Sequence, residues 1–276
     1  MRGKNKKTLF DVLTYLILSG LTIVILFPYF WMVLSSLKSP TLISKPNVWF
    51  FYPDFESWRT VWLEKNFFHY FLNSTIIGVT STLLSIAVGS LTAYSIVRFR
   101  TGGLFFRFGI LAGQMLPPIA LVIPLFMIMY YLHLLNTLFA VIITHTVFIL
   151  PLTTWFLMGF FENVPREMEG QAMIDGCTQF QAFYKVLLPN ARPGIVAAMI
   201  FSFVISWNDF LYALVLTGEK TKTVPVATAG FWTMRAGIEM GNLSAAVTFA
   251  LVPGILACFL VQRRLVVGLA AGAMKY

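Results

Sequence analysis

The chain has 276 residues, of which 58% are hydrophobic and only 11% charged, with a formal net charge of +9. A soluble domain carries about 25% charged residues, so this composition excludes a soluble globular fold and identifies an integral membrane protein. The basic residues lie mainly in short segments beside apolar runs, which points to the positive-inside rule and away from a nucleic-acid partner.

The first stretch, MRGKNKK, precedes an apolar run from Val12 to Leu37. That run is longer than the apolar core of a signal peptide, about 7–15 residues, so it reads as a retained first span. A spanning helix needs about 20 mostly apolar residues. Six candidates meet this, at 12–36, 71–97, 108–132, 138–161, 194–216 and 243–262. The fold class is therefore an all-α membrane protein with six transmembrane helices, since a barrel would show alternating segments of about ten residues. Residues 1–11 form a cytoplasmic N-terminus, and 12–276 a single transmembrane domain. With the N-terminus inside, thirteen Lys and Arg fall in cytoplasmic segments and seven outside. This bias puts both termini and the polar stretch 163–193 in the cytoplasm. Cys177 lies in that stretch and Cys258 in an apolar run, which implies no disulfide framework.

The first outer loop, 38–70, is rich in aromatics, among them Trp49, Phe50, Tyr52, Trp58 and Trp62. It reads as an interfacial belt with a short amphipathic helix, or alternatively as a surface for an external partner. The third span carries Pro117, Pro118 and Pro124, breaks that membrane depth tolerates only where protein or a watery cavity satisfies the freed groups. It is expected to face the protein interior, with Gly109 and Gly113 as a small-residue packing pair. His145, in the fourth span, reads first as a packing hydrogen-bonder. The fifth span holds Ser206, Trp207, Asn208 and Asp209. An acid halfway along a span is expensive and faces a cavity or a partner. Asp209 is thus either a structural hydrogen-bonder or part of a solute pathway. An indole face beside amide and carboxylate suits a polyhydroxylated solute, whose hydroxyls both donate and accept. The second outer loop, 217–242, is long enough to suggest a contact role.

The polar stretch 163–193 reads as a helix–turn–helix knob. Pro165 suits a first helical turn, Glu167 and Glu169 complement the helix N-terminus, and Gly176 can end the helix with positive φ. A helix is predicted over 165–175, followed by a second amphipathic helix stopped at Pro189.

This stretch resembles the coupling loop of binding-protein-dependent ABC importer permeases, whose signature is Glu-Ala-Ala, three residues, Gly, nine residues, Ile-x-Leu-Pro. Ala172 and Asp175-Gly176 match its core, and Val186-Leu187-Leu188-Pro189 its end. The chain departs from the signature at its glutamate, which falls on Gly170, and at its first alanine, which falls on Gln171; Glu169 is the neighbour. The likeness extends to Phe71-Leu72-Asn73-Ser74 at the start of span two. Trp207-Asn208-Asp209 and the ending from Gln262 to Lys275 resemble the maltose-type carbohydrate branch, in its smaller permease subunit.

The resemblance implies a type I importer permease fold in the bacterial inner membrane and translocation of a sugar or polyol by alternating access. It implies contact with the ATPase through Glu169, Gly170, Ala172, Asp175, Gly176 and Pro189, and a substrate pathway at Trp207, Asn208 and Asp209. Its partners would be two cytosolic ATPase subunits, a second homologous permease, an extracytoplasmic solute-binding protein and lipid. The sequence has no phosphate-binding G-x-x-x-x-G-K-[ST] loop, so ATP and Mg belong to the partner ATPase and this chain binds no cofactor or metal. Neither H-E-x-x-H nor G-x-S-x-G occurs, so no catalytic residue is expected. The alternative is an ion-coupled secondary carrier using Asp209 and His145 as a proton relay.

Overall fold

In hydrocarbon a lone segment has to satisfy its own backbone N–H and C=O groups, so apolar runs of spanning length become helices. A computed structural model describes residues 2–45, 47–233 and 237–273, with side chains over 10–45, 47–231, 239–257 and 259–260. In chain order the helices are α1 (Arg2–Ser36), α2 (Pro40–Ile43), α3 (Glu56–Arg59), α4 (Phe67–Phe99), α5 (Gly103–Gln114), α6 (Pro118–Tyr131) and α7 (Leu138–Glu162). They continue with α8 (Arg166–Ile174), α9 (Gln179–Ala182), α10 (Leu188–Asn190), α11 (Arg192–Asn208), α12 (Leu211–Leu216), α13 (Val224–Ala229) and α14 (Met240–Ala273). Among the described residues four helices are long and apolar enough to cross a membrane, or up to six if each of two bent pairs is one span. The exception to the helical fold is a small antiparallel hairpin of β1 (Trp232–Thr233) and β2 (Gly237–Ile238), with Trp232 opposite Ile238.

The chain divides into two units, Met1–Phe67 with Thr228–Leu251 and Phe68–Ala227 with Val252–Tyr276. In the first, α1 is exposed from Phe10 to Phe30. The chain leaving α1 is tied back: Trp58 Nε1 donates to Ser36 Oγ at 3.2 Å and the Asp54 amide to the Leu37 carbonyl at 2.8 Å. Lys38 is buried with its ammonium 4.9 Å from the Trp31 ring centre and 5.6 Å from that of Phe51, so ring faces stand in for a counter-ion. The aromatics of this loop divide. Phe50 and Tyr52 are almost fully exposed, whereas Trp49 packs edge-on against Trp31 and Trp62 against Phe249.

The second unit is organised on α7. Val141, His145, Ile149, Thr153, Leu157 and Phe161 are all buried, an i, i+4 ridge that one helix face presents to its neighbours. Its N-terminal half packs with Ile77, Val122, Met129, Tyr212 and Leu216, and its C-terminal half with Ala93, Tyr94, Val97, Phe183, Leu187 and Ala198. The two polar members of the ridge reach α11: His145 Nδ1 lies 2.7 Å from Ser206 Oγ, and Thr153 Oγ1 lies 2.8 Å from Ser202 Oγ.

Three expectations change. The span expected at 108–132 is two helices, α5 and α6, meeting at 90°, because Pro117 is extended and Pro118 opens a new helix. Helix α5 buries none of its residues, and neither Gly109 nor Gly113 has a neighbour where a Cβ would stand; within this chain α5 is not interior and the glycines are not a packing seam, whereas α6 buries Val122 and Met129 in the core. The span expected at 194–216 breaks at Asp209, whose backbone is extended. The second amphipathic helix of the knob does not stop at Pro189. It runs from α9 through a π turn at Phe183–Leu187 into α10, which contains Pro189, and the wider turn falls where a proline disrupts the i−4 bond.

Gly194 of α11 packs closely on α7: a Cβ there would stand 2.1 Å from Phe160 Cγ. Gly194→Ala therefore overpacks the contact and lowers stability by about 1–3 kcal/mol. Thermal unfolding in detergent checks this, and Gly194→Ala combined with Phe160→Ala should lose less stability than the sum of the single changes.

Candidate functional site

The knob between α7 and α11 is closed by backbone geometry. Pro165, at the N-cap position, is extended and leads into α8. At the other end Gly176 has φ +92°, a conformation that glycine alone adopts freely. The Gly176 amide donates to the Met173 carbonyl at 3.1 Å and the Cys177 amide to the Ala172 carbonyl at 2.9 Å, the paired bonds of a Schellman ending. Thr178 then opens α9 with a reciprocal capping box to Gln181. Two cap motifs back to back thus make a tight corner at 175–178. Asp175 is exposed, and the bonds that shape the corner come from the backbone rather than its carboxylate.

The knob's corner carries an exposed apolar patch on an otherwise polar surface. Ile174 is 87% exposed, and Met173, Phe180 and Tyr184 are also exposed. Ala172 and Gly170 are half-buried, and Pro189 is exposed. Glu169 is turned the other way. It is 5% exposed, its Oε1 accepts from Arg98 Nε at 2.7 Å, and it forms an ion pair with Arg98 Nη2 at 2.6 Å. Residues 163–193 therefore present a greasy corner flanked by small residues, while the acidic side chain nearest the signature position is engaged inside the chain. Arg98 is missing from the site residues read from sequence. It is legible there only as one more cytoplasmic basic residue, because pairing across 71 positions is a property of the fold.

The polar residues of the fifth span do not share one environment. Trp207 is buried, with its ring stacked 5.7 Å from Phe203 and edge-on 5.3 Å from Phe71. Asn208 is exposed at the end of α11, its Nδ2 donating to the Val204 carbonyl at 2.8 Å. Asp209 Oδ2 accepts from the Ala213 amide at 3.1 Å and lies 3.1 Å from His145 Nε2. The carboxylate thus satisfies an otherwise orphaned donor in the first turn of α12 and completes the chain Ser206–His145–Asp209. His145 bonds at both ring nitrogens, as a packing hydrogen-bonder would.

At the opposite end of α4 the start of span two straps the loop at 219–224. Asn73 Nδ2 donates to the carbonyls of Lys220 and Lys222, both at 3.0 Å, and Ser74 Oγ accepts from the Val224 amide at 2.8 Å. Glu219 bonds Lys222 and Tyr70. The hydrogen bond from Lys222, then that from Tyr70, holds its carboxyl below the usual glutamate range.

Residues 85–269 match the family of binding-protein-dependent transport system inner membrane components. The chain is 33% identical over 275 residues to the diacetylchitobiose uptake system permease protein NgcG of Streptomyces coelicolor, covering 96% of this chain and 89% of that one. It is 35% identical over 253 residues to the trehalose transport system permease protein SugB of Mycobacterium tuberculosis, covering 91% and 92%. Among solved structures, a bacterial ABC transporter involved in the import of the acidic polysaccharide alginate superposes with a TM-score of 0.79 at 21% identity, over 94% of this chain and 97% of that one. None of these matches supports the ion-coupled carrier. With a helical membrane fold, a capped polar knob between two spans and these relatives over nearly its whole length, the chain belongs to the binding-protein-dependent transport system inner membrane components, the membrane-spanning permeases of ABC importers.

Proposed function

We propose that this permease imports a sugar or related polyol, and that residues 163–193 are its docking surface for a cytosolic ATPase. The observation that carries the docking reading is the exposed apolar corner at Met173, Ile174 and Phe180 on a segment otherwise polar. Exposed apolar patches of this kind mark interaction sites, and the Schellman ending makes the corner stiff enough to transmit a push. Diacetylchitobiose and trehalose, printed in the names of two relatives, support a saccharide. The complete importer is this chain, a second homologous permease, two ATPase subunits that hold ATP and Mg, and an extracytoplasmic binding protein. ATP-driven closure of the ATPases moves the knobs and rocks the spans between inward-open and outward-open. Catalysis lies in the ATPase, and this chain supplies the path. Both termini lie in the cytoplasm, supported by the excess of Lys and Arg in the segments assigned to that side.

Ala172 and Gly176 set how deeply the corner seats. A branched side chain at 176 meets a left-handed backbone, at a cost of roughly 1 kcal/mol or more, and a large one at 172 props the corner away from its socket. Gly176→Val and Ala172→Trp should insert normally yet abolish transport and reduce co-purification of the ATPase. Asp175→Ala should do far less, because backbone bonds shape the turn. Normal co-purification and hydrolysis in both bulky variants would place the docking surface elsewhere.

For the pathway, Trp207, Asn208 and Asp209 remain the proposed residues, and Asn208 is the clean test. Asp209→Ala also strips the first turn of α12 and leaves His145 unpaired, whereas Asn208→Ala removes only an exposed amide. Asn208→Ala should impair uptake of trehalose or diacetylchitobiose, whichever the importer accepts, without loss of assembly; full uptake would remove Asn208 from the pathway. For orientation, Cys177 should react with a permeant maleimide and resist an impermeant one in intact cells, with Cys258→Ser as background. Labelling by the impermeant reagent would reverse the topology.

A further inference from the structure

We propose that the buried Arg98–Glu169 ion pair is the link through which the docking knob moves α4, so that Arg98 and Glu169 are positioning residues for coupling rather than contacts to the ATPase. This rests on the reading of residues 163–193 as the docking segment.

Helix α8 follows α7 after only the non-helical residues 163–165. A push on α8 would be absorbed by rotation at that joint unless α8 were held somewhere else. It is held on the last turn of α4. Arg98 donates Nε to Glu169 Oε1 at 2.7 Å and Nη2 to the Val164 carbonyl at 2.9 Å, and its Nη2 also stands 2.6 Å from Glu169 Oε1 as an ion pair. In the reverse direction Arg166 Nη2 donates to the Val97 carbonyl at 2.7 Å. Val97 is among the last four residues of α4, whose carbonyls lack intrahelical partners. Two guanidinium groups therefore strap the end of α4 to position 164 within the joint and to positions 166 and 169 on α8. The Arg98 and Glu169 side chains are each 7% exposed, so solvent screens the pair little. Beneath the strap Tyr94 packs on Phe183 with ring centres 4.8 Å apart, joining α4 to the second half of the knob as well. Planar, charge-assisted contacts of this kind fix orientation as well as distance.

Helix α4 is unbroken from Phe67 to Phe99. Its outer end carries Asn73 and Ser74, which hold the loop at 220–224. Asn73 and Arg98 stand 25 residues apart on one helix, roughly 37 Å at the α-helical rise. A displacement received at the clamp is delivered through one rigid rod to the outer loop.

The test uses the assembled importer in nanodiscs, with Cys177→Ser and Cys258→Ser as background and Lys220→Cys as a reporter on the outer loop. The rate of labelling at position 220 by a thiol reagent is measured with and without ATP, Mg and vanadate. The parent should show a several-fold change. Arg98→Met combined with Glu169→Leu replaces the pair by apolar groups of similar size, a change that buried pairs tolerate. That variant should retain the ATPase at parental yield and lose the ATP-dependent change. Glu169→Gln should behave likewise, and Arg98→Lys, which keeps the charge but not the fork, should retain a reduced response. A parental response in either the double variant or Glu169→Gln overturns the proposal. So does loss of ATPase from Glu169→Gln with an unchanged response per bound ATPase, which would make Glu169 a docking residue. If the parent itself fails to hold the ATPase through the knob, as judged by full retention in Gly176→Val, the docking reading fails instead, a result separable from the clamp's.

Discussion

The constraint behind this fold is that backbone polar groups in hydrocarbon need partners within the protein. Wherever a span is interrupted, a specific side chain or proline makes the interruption tolerable. At 209 the helix stops and restarts because Asp209 accepts the Ala213 amide. At 137 the hydroxyl of Thr137 accepts the Ala140 amide and starts α7. At 117–118 two prolines remove donors that would otherwise be orphaned. The breaks are therefore designed ends of helices, and they determine where polar side chains stand in an apolar interior.

The same constraint explains why polar groups on α7 and α11 face each other. His145 and Thr153 would be costly on a lipid face, and placing them on the buried ridge opposite Ser206 and Ser202 gives each a partner. The price is rigidity at that seam: Gly194 is pressed against Phe160, and interior packing of this density leaves little room for sliding. Motion between inward-open and outward-open states is then expected as rotation of packed groups of helices rather than as shear between α7 and α11.

The knob at 163–193 follows a different logic. Its outward corner is closed entirely by local signals, the glycine ending of α8 and the capping box of α9, so it is stiff without help from the rest of the chain. Its inward face depends on long-range electrostatics. Isolated, Glu169 would be an ordinary solvated acid; beside Arg98 it becomes a buried, directional contact. In the proposed coupling scheme, docking and transmission fall on opposite faces of the knob.

The sequence by itself determined the membrane class, the existence of the spans, the helix at 166–174 and the glycine turn after it, because these rest on composition, apolar run length and cap residues, all of them local. It also carried the family signature from Ala172 to Pro189. The ending from Gln262 to Lys275, part of that likeness, lies beyond the residues whose side chains are described. Tertiary structure alone decided that the proline span is two helices meeting at 90°, of which α5 buries no residue, that the fifth span breaks at Asp209, and that Glu169 points inward to Arg98. An apolar window cannot distinguish a straight span from a bent pair, since both have the same hydropathy. Asp209 was legible as an unusual acid, but not as a cap, because its partners His145 and Ala213 are assigned by how α7 and α12 pack. A charge pair 71 residues apart leaves no periodic trace in sequence, and its energy comes from a burial that only the folded chain creates.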